Sequence, residues 1–320
     1  MRPPIAFLGS LDAEEEGRYR AALAAALPEE SVRPFRALNA PERAAVEIAI
    51  VANPDPAKVA QLSGLVWIQS LWAGVERLVR DLGPGAAPIV RLVDPELART
   101  MAEAVLAWTY YLQRDMPAYR RQQDAGVWRP RPYRPPGNMT VGLLGYGALG
   151  RAAADRLTQA GFRVAAWTRS APSGGHEKTG AAIATCSGPE GLTRCLGRSD
   201  IVVCLLPLTA ETRGLLDAAR FAELKPGAAL INVARGAIVD TDALLSALDA
   251  GHLDHAVLDV FETEPLPADA PLWRHPGITI LPHITGPTNP VTAAAVVAGT
   301  VRAYRTTGRI PATVDVTRGY

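Results

Sequence analysis

Thr140-Val141-Gly142-Leu143-Leu144 reads as a short buried strand, and Gly145-Tyr146-Gly147-Ala148-Leu149-Gly150 follows it directly. A lone GxGxxG is a weak signal. Placed between an apolar strand and a helix it acquires a physical purpose. Gly145 permits a tight turn, Gly147 lets a pyrophosphate approach the backbone, and Gly150 allows close packing of helix and strand. The helix that opens here, over residues 149–160, presents unbonded N–H groups and the positive end of its dipole, which suits a phosphate. Gly161 is a natural cap for it, and residues 162–168 form the next strand. The unit is a dinucleotide-binding βαβ, so a doubly wound parallel sheet is expected around it.

Outward from this unit the same alternation continues in both directions. Downstream, strands are expected at 201–206, 228–233, 256–260 and 278–281, with helices at 217–224 and 241–250. Asn289-Pro290 then gives an N-cap and a first-turn proline for a last helix to about Thr306, closed by Gly308. Upstream, strands are expected at 5–8, 31–35, 46–51, 65–69 and 89–92, with helices at 14–27 and 56–62. Short apolar runs alternating with helical patterns imply parallel sheets covered by helices, hence an α/β chain with two Rossmann-like domains. The pattern changes near 93–100. Thr100-Met101-Ala102-Glu103 matches a capping box, and Met101, Val105, Trp108, Tyr111 and Leu112 recur with helical period. A basic, proline-rich stretch, residues 126–137, follows as a surface arm.

Composition narrows the class. The chain has 320 residues, 48% hydrophobic and 20% charged, with a formal net charge of +1. It is too apolar for disorder. Its charge gives no reason to expect nucleic acid or an anionic membrane as partner. Cys186, Cys195 and Cys204 form no CxxC pair, and an odd number argues against a disulfide framework. No metal site is expected. The apolar run at 5–8 is too short for a signal core or a span, so a cytoplasmic enzyme is expected.

Two further features carry chemistry. The second strand of the dinucleotide unit ends in Trp167-Thr168-Arg169-Ser170, where an NAD site would place an acid for the ribose hydroxyls. A hydroxyl followed by Arg suits a 2′-phosphate instead. NADPH is therefore the expected cofactor, with NADH less favoured. Three polar residues then stand at or beyond strand ends: Arg235 in Asn232-Val233-Ala234-Arg235-Gly236, Glu264 after Phe261-Glu262-Thr263, and His283 in Leu281-Pro282-His283-Ile284. Hydride addition to a carbonyl builds charge on oxygen. A protonated His can quench that charge, a carboxylate beside it steadies the imidazolium, and an Arg fork binds a substrate carboxylate. His176, His252, His255 and His275 read as surface or structural, with His275 a weak competitor for the acid.

Taken together, these residues resemble the D-2-hydroxyacid dehydrogenase family. The similarity runs through Gly145 to Gly150, Leu206-Pro207-Leu208-Thr209 with Thr212, Lys225-Pro226-Gly227, Asn232 to Asp240, Leu258 to Pro267 and Pro282-His283. Within the family the chain is most similar to bacterial A-type glyoxylate/hydroxypyruvate reductases, through Trp167 to Ser170, Pro271-Leu272-Trp273 and the ending from Val314 to Tyr320. The resemblance implies Arg235 as substrate binder, Glu264 as partner of His283, and His283 as acid/base. It implies cofactor contacts from the Gly145–Gly150 turn, residues Trp167 to Ser170, Leu206, Pro207, Thr212, Val233, Ala234 and His283, with Asp259 near the nicotinamide amide. Trp72-Ala73-Gly74 resembles the family's substrate-carboxylate loop. The implied substrate domain is discontinuous, residues 1–98 plus 288–320, around a dinucleotide-binding domain of residues 99–287, with the active site in the cleft between them. A homodimer is implied as well, built on the helix from Thr100 and on the arm carrying Trp128 and Tyr133. The implied reaction is NADPH-dependent reduction of glyoxylate or hydroxypyruvate. A bulkier 2-keto acid, or a nucleotide sensor without turnover, is the alternative. Where many relatives carry small residues after the His, this chain has Ile284-Thr285-Gly286-Pro287, so Pro287 puts the hinge geometry in question.

Overall fold

The computed structural model describes residues 2–170 and 183–316. His176 and the chain end beyond 316 lie outside the described residues. The chain divides into two compact units, Met1–Leu97 with Thr288–Tyr320, and Ala98–Pro287.

The first unit holds a five-stranded parallel sheet: β1 (Ile5–Gly9), β2 (Val32–Pro34), β3 (Ile48–Ala52), β4 (Trp67–Ser70) and β5 (Ile89–Val90), in the order β2-β1-β3-β4-β5. β3 is the unbroken apolar run Ile-Ala-Ile-Val-Ala and is buried throughout, as a central parallel strand covered on both faces must be. The helix Pro290–Thr307 returns to this sheet. Asn289 caps it by accepting from the Val291 N–H, and Gly308 ends it at φ 68. Its buried face, Ala293, Ala294, Val297, Ala298 and Val301, joins Tyr19 and Leu23 of the helix Ala13–Ala26, and its C-cap Leu27, in one core. The Arg305 guanidinium, nearly buried, reaches both Glu30 (3.1 Å) and Glu47 (2.6 Å). A buried cation matched by two carboxylates fixes where the returning helix lies, because losing either partner would strand a charge.

The second unit holds seven parallel strands: β6 (Thr140–Leu144), β7 (Arg163–Thr168), β8 (Ala184–Ser187), β9 (Ile201–Cys204), β10 (Ala228–Asn232), β11 (Leu253–Leu258) and β12 (Ile278–Ile280), in the order β12-β11-β10-β9-β6-β7-β8. Strand order reverses between β6 and β9, and the carboxyl ends of strands at such a switch point are where α/β sheets bind ligands.

Several local expectations change. The helix expected to start at Thr100 runs Pro95–Gln113. Asp94 accepts from the Glu96 N–H at 2.9 Å ahead of Pro95, so an Asx start with a first-turn proline outranks the capping-box pattern one turn later. A further helix, Met116–Asp124, stands before the arm, set off by Asp115 at φ 56. The helices Ala40–Ala45, Glu76–Leu82 and Gly188–Arg198, and strand β8, lay outside the sequence reading. In Gly188–Arg198 the apolar face is only Leu192, Cys195 and Leu196, and three glycines dilute its period.

Candidate active site

The glycine turn takes the form its residues dictate. Gly145 has φ 107, a value side-chain-bearing residues avoid, and its N–H donates to the Trp167 carbonyl at 2.9 Å. A Cβ on Gly150 would lie 2.1 Å from the Gly145 carbonyl oxygen. Gly150 therefore lets the helix Ala148–Gln159 close onto the turn itself rather than onto the strand. A Cβ on Gly147 would meet nothing within 4 Å. Gly147 is the helix N-cap, with no side chain capping the N–H groups behind it. The cradle is open where a pyrophosphate needs backbone donors, so a dinucleotide fits it.

Around the turn, the residues expected to touch a cofactor divide into two groups. Thr168, Arg169 and Ser170 stand at the carboxyl end of β7. The Thr168 hydroxyl donates to the Ser170 carbonyl (2.8 Å) and Arg169 pairs with Glu211 (2.5 Å). Trp167, by contrast, is a core side chain, buried and donating from its indole to the Gly188 carbonyl at 2.9 Å. Leu206, Val233 and Ala234 are also buried. Thr212 is buried too, and its hydroxyl is engaged by the Pro207 carbonyl (2.7 Å) and the Thr209 N–H (2.8 Å). These residues shape the floor and leave the polar contacts to their neighbours.

The three chemical residues come from loops at the carboxyl ends of β10, β11 and β12. Asn232, the last residue of β10, is buried. Its amide donates to the Arg235 carbonyl (3.0 Å) and its oxygen accepts from the Ala234 N–H (3.1 Å), which bends the chain and sets Arg235 at the sheet edge. The Arg235 guanidinium donates to the Ala234 carbonyl at 2.6 Å. Gly236 then passes so close to the next loop that a Cβ would lie 2.0 Å from the Phe261 carbonyl carbon. This contact locks the Arg235 loop against the loop that carries Glu264.

Glu264 is held from below. One carboxylate oxygen accepts from the Phe261 N–H at 2.9 Å, and the other lies 2.8 Å from His283 Nδ1. An ionised carboxylate only accepts, so Nδ1 carries the proton in this bond and Nε2 is left for another partner. His283 has φ 55, a left-handed conformation unusual for a side-chain-bearing residue. Asp259, buried at the end of β11, compensates. Its two oxygens accept from the Ile284 N–H (2.7 Å) and the Thr285 N–H (3.0 Å). Asp259 thereby pins the backbone just past His283 and carries the strained turn. The sequence offered no signal for this role, since it depends on a loop 25 residues further along the chain.

The other described histidines, His275 among them, have structural occupations. His275 Nδ1 accepts from the Gly277 N–H (3.0 Å), and its Nε2 faces Asp249 at 3.2 Å. His252 faces the Phe221 carbonyl at 3.0 Å. His255 is buried, 2.8 Å from Thr279 Oγ1, and burial pushes its imidazole down to about 4. None stands beside Glu264 as His283 does.

In the first unit, Trp72 is mainly a core residue. Its ring meets Tyr19 edge-on, its backbone N–H donates to the Ser70 hydroxyl at 3.0 Å, and its carbonyl accepts from the Leu92 N–H at 3.1 Å. The N–H groups of Ala73 and Gly74 have no acceptor among the described residues, so the anion-binding capacity of this loop resides in them rather than in Trp72.

A doubly wound nucleotide-binding sheet with a carboxylate–histidine pair and an Arg at its carboxyl edge defines the class of nicotinamide-dependent dehydrogenases. Comparison with known proteins makes the assignment specific: residues 106–285 match the NAD-binding domain of the D-isomer specific 2-hydroxyacid dehydrogenases, and the chain belongs to that family. It is 38% identical over 309 residues to a glyoxylate/hydroxypyruvate reductase A of Serratia proteamaculans, covering 94% of this chain and 96% of that one. It superimposes with a TM-score of 0.90, at 37% identity and full coverage of both chains, on a D-isomer specific 2-hydroxyacid dehydrogenase from Xanthobacter autotrophicus in complex with NADPH and MES. An NADPH-dependent glyoxylate/hydroxypyruvate reductase from Sinorhizobium meliloti, in complex with NADP and sulfate, aligns with a TM-score of 0.85 at 31% identity, over 99% of each chain. The chain is an NAD(P)-dependent oxidoreductase of 2-hydroxy acids. No helix among the described residues is long and apolar enough to cross a membrane.

Proposed function

We propose that the protein reduces small 2-keto acids, glyoxylate and hydroxypyruvate, with NADPH, and that His283 donates the proton. The observation that carries the proposal is the 2.8 Å contact between His283 Nδ1 and Glu264, at the same sheet edge as the glycine turn. The residues of that turn, with Thr168, Arg169 and Ser170, would hold the cofactor, whose nicotinamide supplies the hydride when bound. His283 holds a proton on Nε2 when charged and delivers it to the carbonyl oxygen. Glu264 orients the ring and stabilises the imidazolium before transfer. Arg235 offers a planar fork to the substrate carboxylate and a positive field to the developing oxyanion. The free N–H groups of Ala73 and Gly74 suit an anion as well. The unit with the seven-stranded sheet is thus assigned to the cofactor and the other to the substrate. The proposal includes a homodimer formed through the arm, where Trp128 is 97% exposed.

The test is a panel of glyoxylate, hydroxypyruvate, pyruvate and phenylpyruvate with NADPH and with NADH, read by loss of reduced-nicotinamide absorbance. Highest kcat/KM for the two small acids with NADPH supports the reading. Preference for phenylpyruvate overturns the substrate assignment. His283→Ala should lower kcat by about 10²–10⁴-fold with NADPH binding retained; unchanged turnover removes His283 from the acid role.

A further inference from the structure

The phosphate end of the cofactor site contains a group that the proposed chemistry does not use. Arg169 donates from Nη1 to a carboxylate oxygen of Glu211 at 2.5 Å. Glu211 belongs to the loop after β9, 42 residues further along the chain. Its position is built. Thr209 and Thr212 bracket it with reciprocal bonds: the Thr209 N–H donates to the Thr212 hydroxyl (2.8 Å), and the Thr212 N–H donates to the Thr209 hydroxyl (3.2 Å). The Thr212 hydroxyl in turn donates to the Pro207 carbonyl at 2.7 Å. The backbone on both sides of Glu211 is therefore tied to the end of β9, next to the strand that carries the glycine turn. The carboxylate is presented to Arg169 by a rigid turn.

An acid is absent from the end of β7, where it would repel a 2′-phosphate, yet this chain brings one to the Arg that would bind that phosphate. The two acids act differently. An acid on β7 would bond ribose hydroxyls and favour NADH. Glu211 bonds no such group in its paired state; it occupies the cation.

We infer that Glu211 is a specificity-determining counter-charge on the 2′-phosphate subsite: it holds Arg169 until a phosphate displaces it, and so weakens the grip on the phosphorylated cofactor. The inference rests on the NADPH reading above. A 2′-phosphate reaching Arg169 must take over its bonds from Glu211, which is itself largely exposed and is released to water at little cost. Binding of NADPH and of NADP⁺ is reduced alike, because the 2′-phosphate is common to both. Product therefore leaves faster than from a site with a bare Arg. NADH lacks the phosphate and leaves the Arg169–Glu211 pair intact.

The decisive measurement is the dissociation constant, by titration calorimetry, of NADPH, NADH, 2′,5′-ADP and 5′-AMP. The proteins are wild type, Glu211→Gln, Glu211→Lys, Arg169→Ala and the double variant Glu211→Gln with Arg169→Ala. Glu211→Gln should tighten NADPH and 2′,5′-ADP about two- to fivefold, the range an exposed ion pair is worth. NADH and 5′-AMP should be unchanged. Glu211→Lys should tighten the two phosphorylated ligands further, by adding a cation. In the Arg169→Ala background the gain from Glu211→Gln should shrink, since no pair remains to break. If Arg169→Ala weakens the phosphorylated ligands and Glu211→Gln leaves them unchanged or weaker, the counter-charge is refuted while the NADPH reading stands. If wild type binds NADPH no more tightly than NADH, or Arg169→Ala weakens both cofactors equally, the NADPH reading itself fails. Glu211 is exposed and makes no core contact, so neither variant threatens folding.

Discussion

Gly236→Ala should separate the geometry of the catalytic loops from cofactor binding. The backbone at Gly236 is not in the positive-φ region, so alanine suits its conformation. The obstacle is space alone. The added methyl would lie 2.0 Å from the Phe261 carbonyl carbon and 2.3 Å from the Glu262 nitrogen, both backbone atoms. Ordinary contact begins near 3.4 Å, so the two loops must part by roughly an ångström, a displacement that can cost about 10²-fold in rate. The path to the chemistry is short. Phe261 donates its N–H to Glu264 at 2.9 Å, and Glu264 holds His283 at 2.8 Å. Moving Phe261 releases the carboxylate from below and lets the imidazole turn. Expected is a fall in kcat of about 100-fold, equivalent to about 2.7 kcal/mol in the barrier. Overpacking should also cost about 1–3 kcal/mol of stability. NADPH affinity should stay within twofold, because the phosphate turn lies on β6 and the helix after it. The assay is steady-state kinetics with glyoxylate, NADPH titration by fluorescence, and thermal unfolding. Near-normal kcat in a folded Gly236→Ala protein would refute the claim that this contact sets the spacing of the Arg235 and Glu264 loops.

Three further outcomes are expected. Thr168→Asp should shift the ratio of kcat/KM values from NADPH toward NADH, since the new carboxylate repels the 2′-phosphate and accepts from ribose hydroxyls; an unchanged ratio would place the ribose elsewhere. His255 is buried with its imidazole lowered to about 4 from 6.5. The unfolded chain therefore binds the extra proton first, and stability should be lost as pH falls from about 6.5 to about 4, by up to roughly 3 kcal/mol. Unfolding of wild type and His255→Gln across that range should show a smaller acid loss in the variant, and parallel curves would assign the loss to other groups. Sedimentation at micromolar concentration should give a dimer, and Trp128→Ser with Tyr133→Ser should weaken it; a monomeric wild type would remove the arm from any interface.

The sequence alone determined what depends on neighbours along the chain. Gly145, Gly147 and Gly150 between an apolar strand and a helix specify a phosphate turn wherever they occur, because the need for tight backbone and open N–H groups is local. Asn289-Pro290 and Gly308 fixed both ends of the last helix for the same reason. Arg235, Glu264 and His283 were legible because each follows a strand, and parallel strands present their carboxyl ends at one edge. Tertiary structure decided whatever depends on pairs distant in sequence. His283 and Glu264 are 19 residues apart, Asp259 and Ile284 are 25 apart, and Arg169 and Glu211 are 42 apart. No periodicity encodes such pairings. Nor can sequence show that Trp167 is core, that Trp72 packs on Tyr19, or that Gly236 is glycine because a distant backbone lies where a Cβ would be. Spacing along a chain fixes local hydrogen bonds, whereas which loops meet depends on how the sheet packs. The positioning of the acid, and the counter-charge on the phosphate site, belong to that second kind of information.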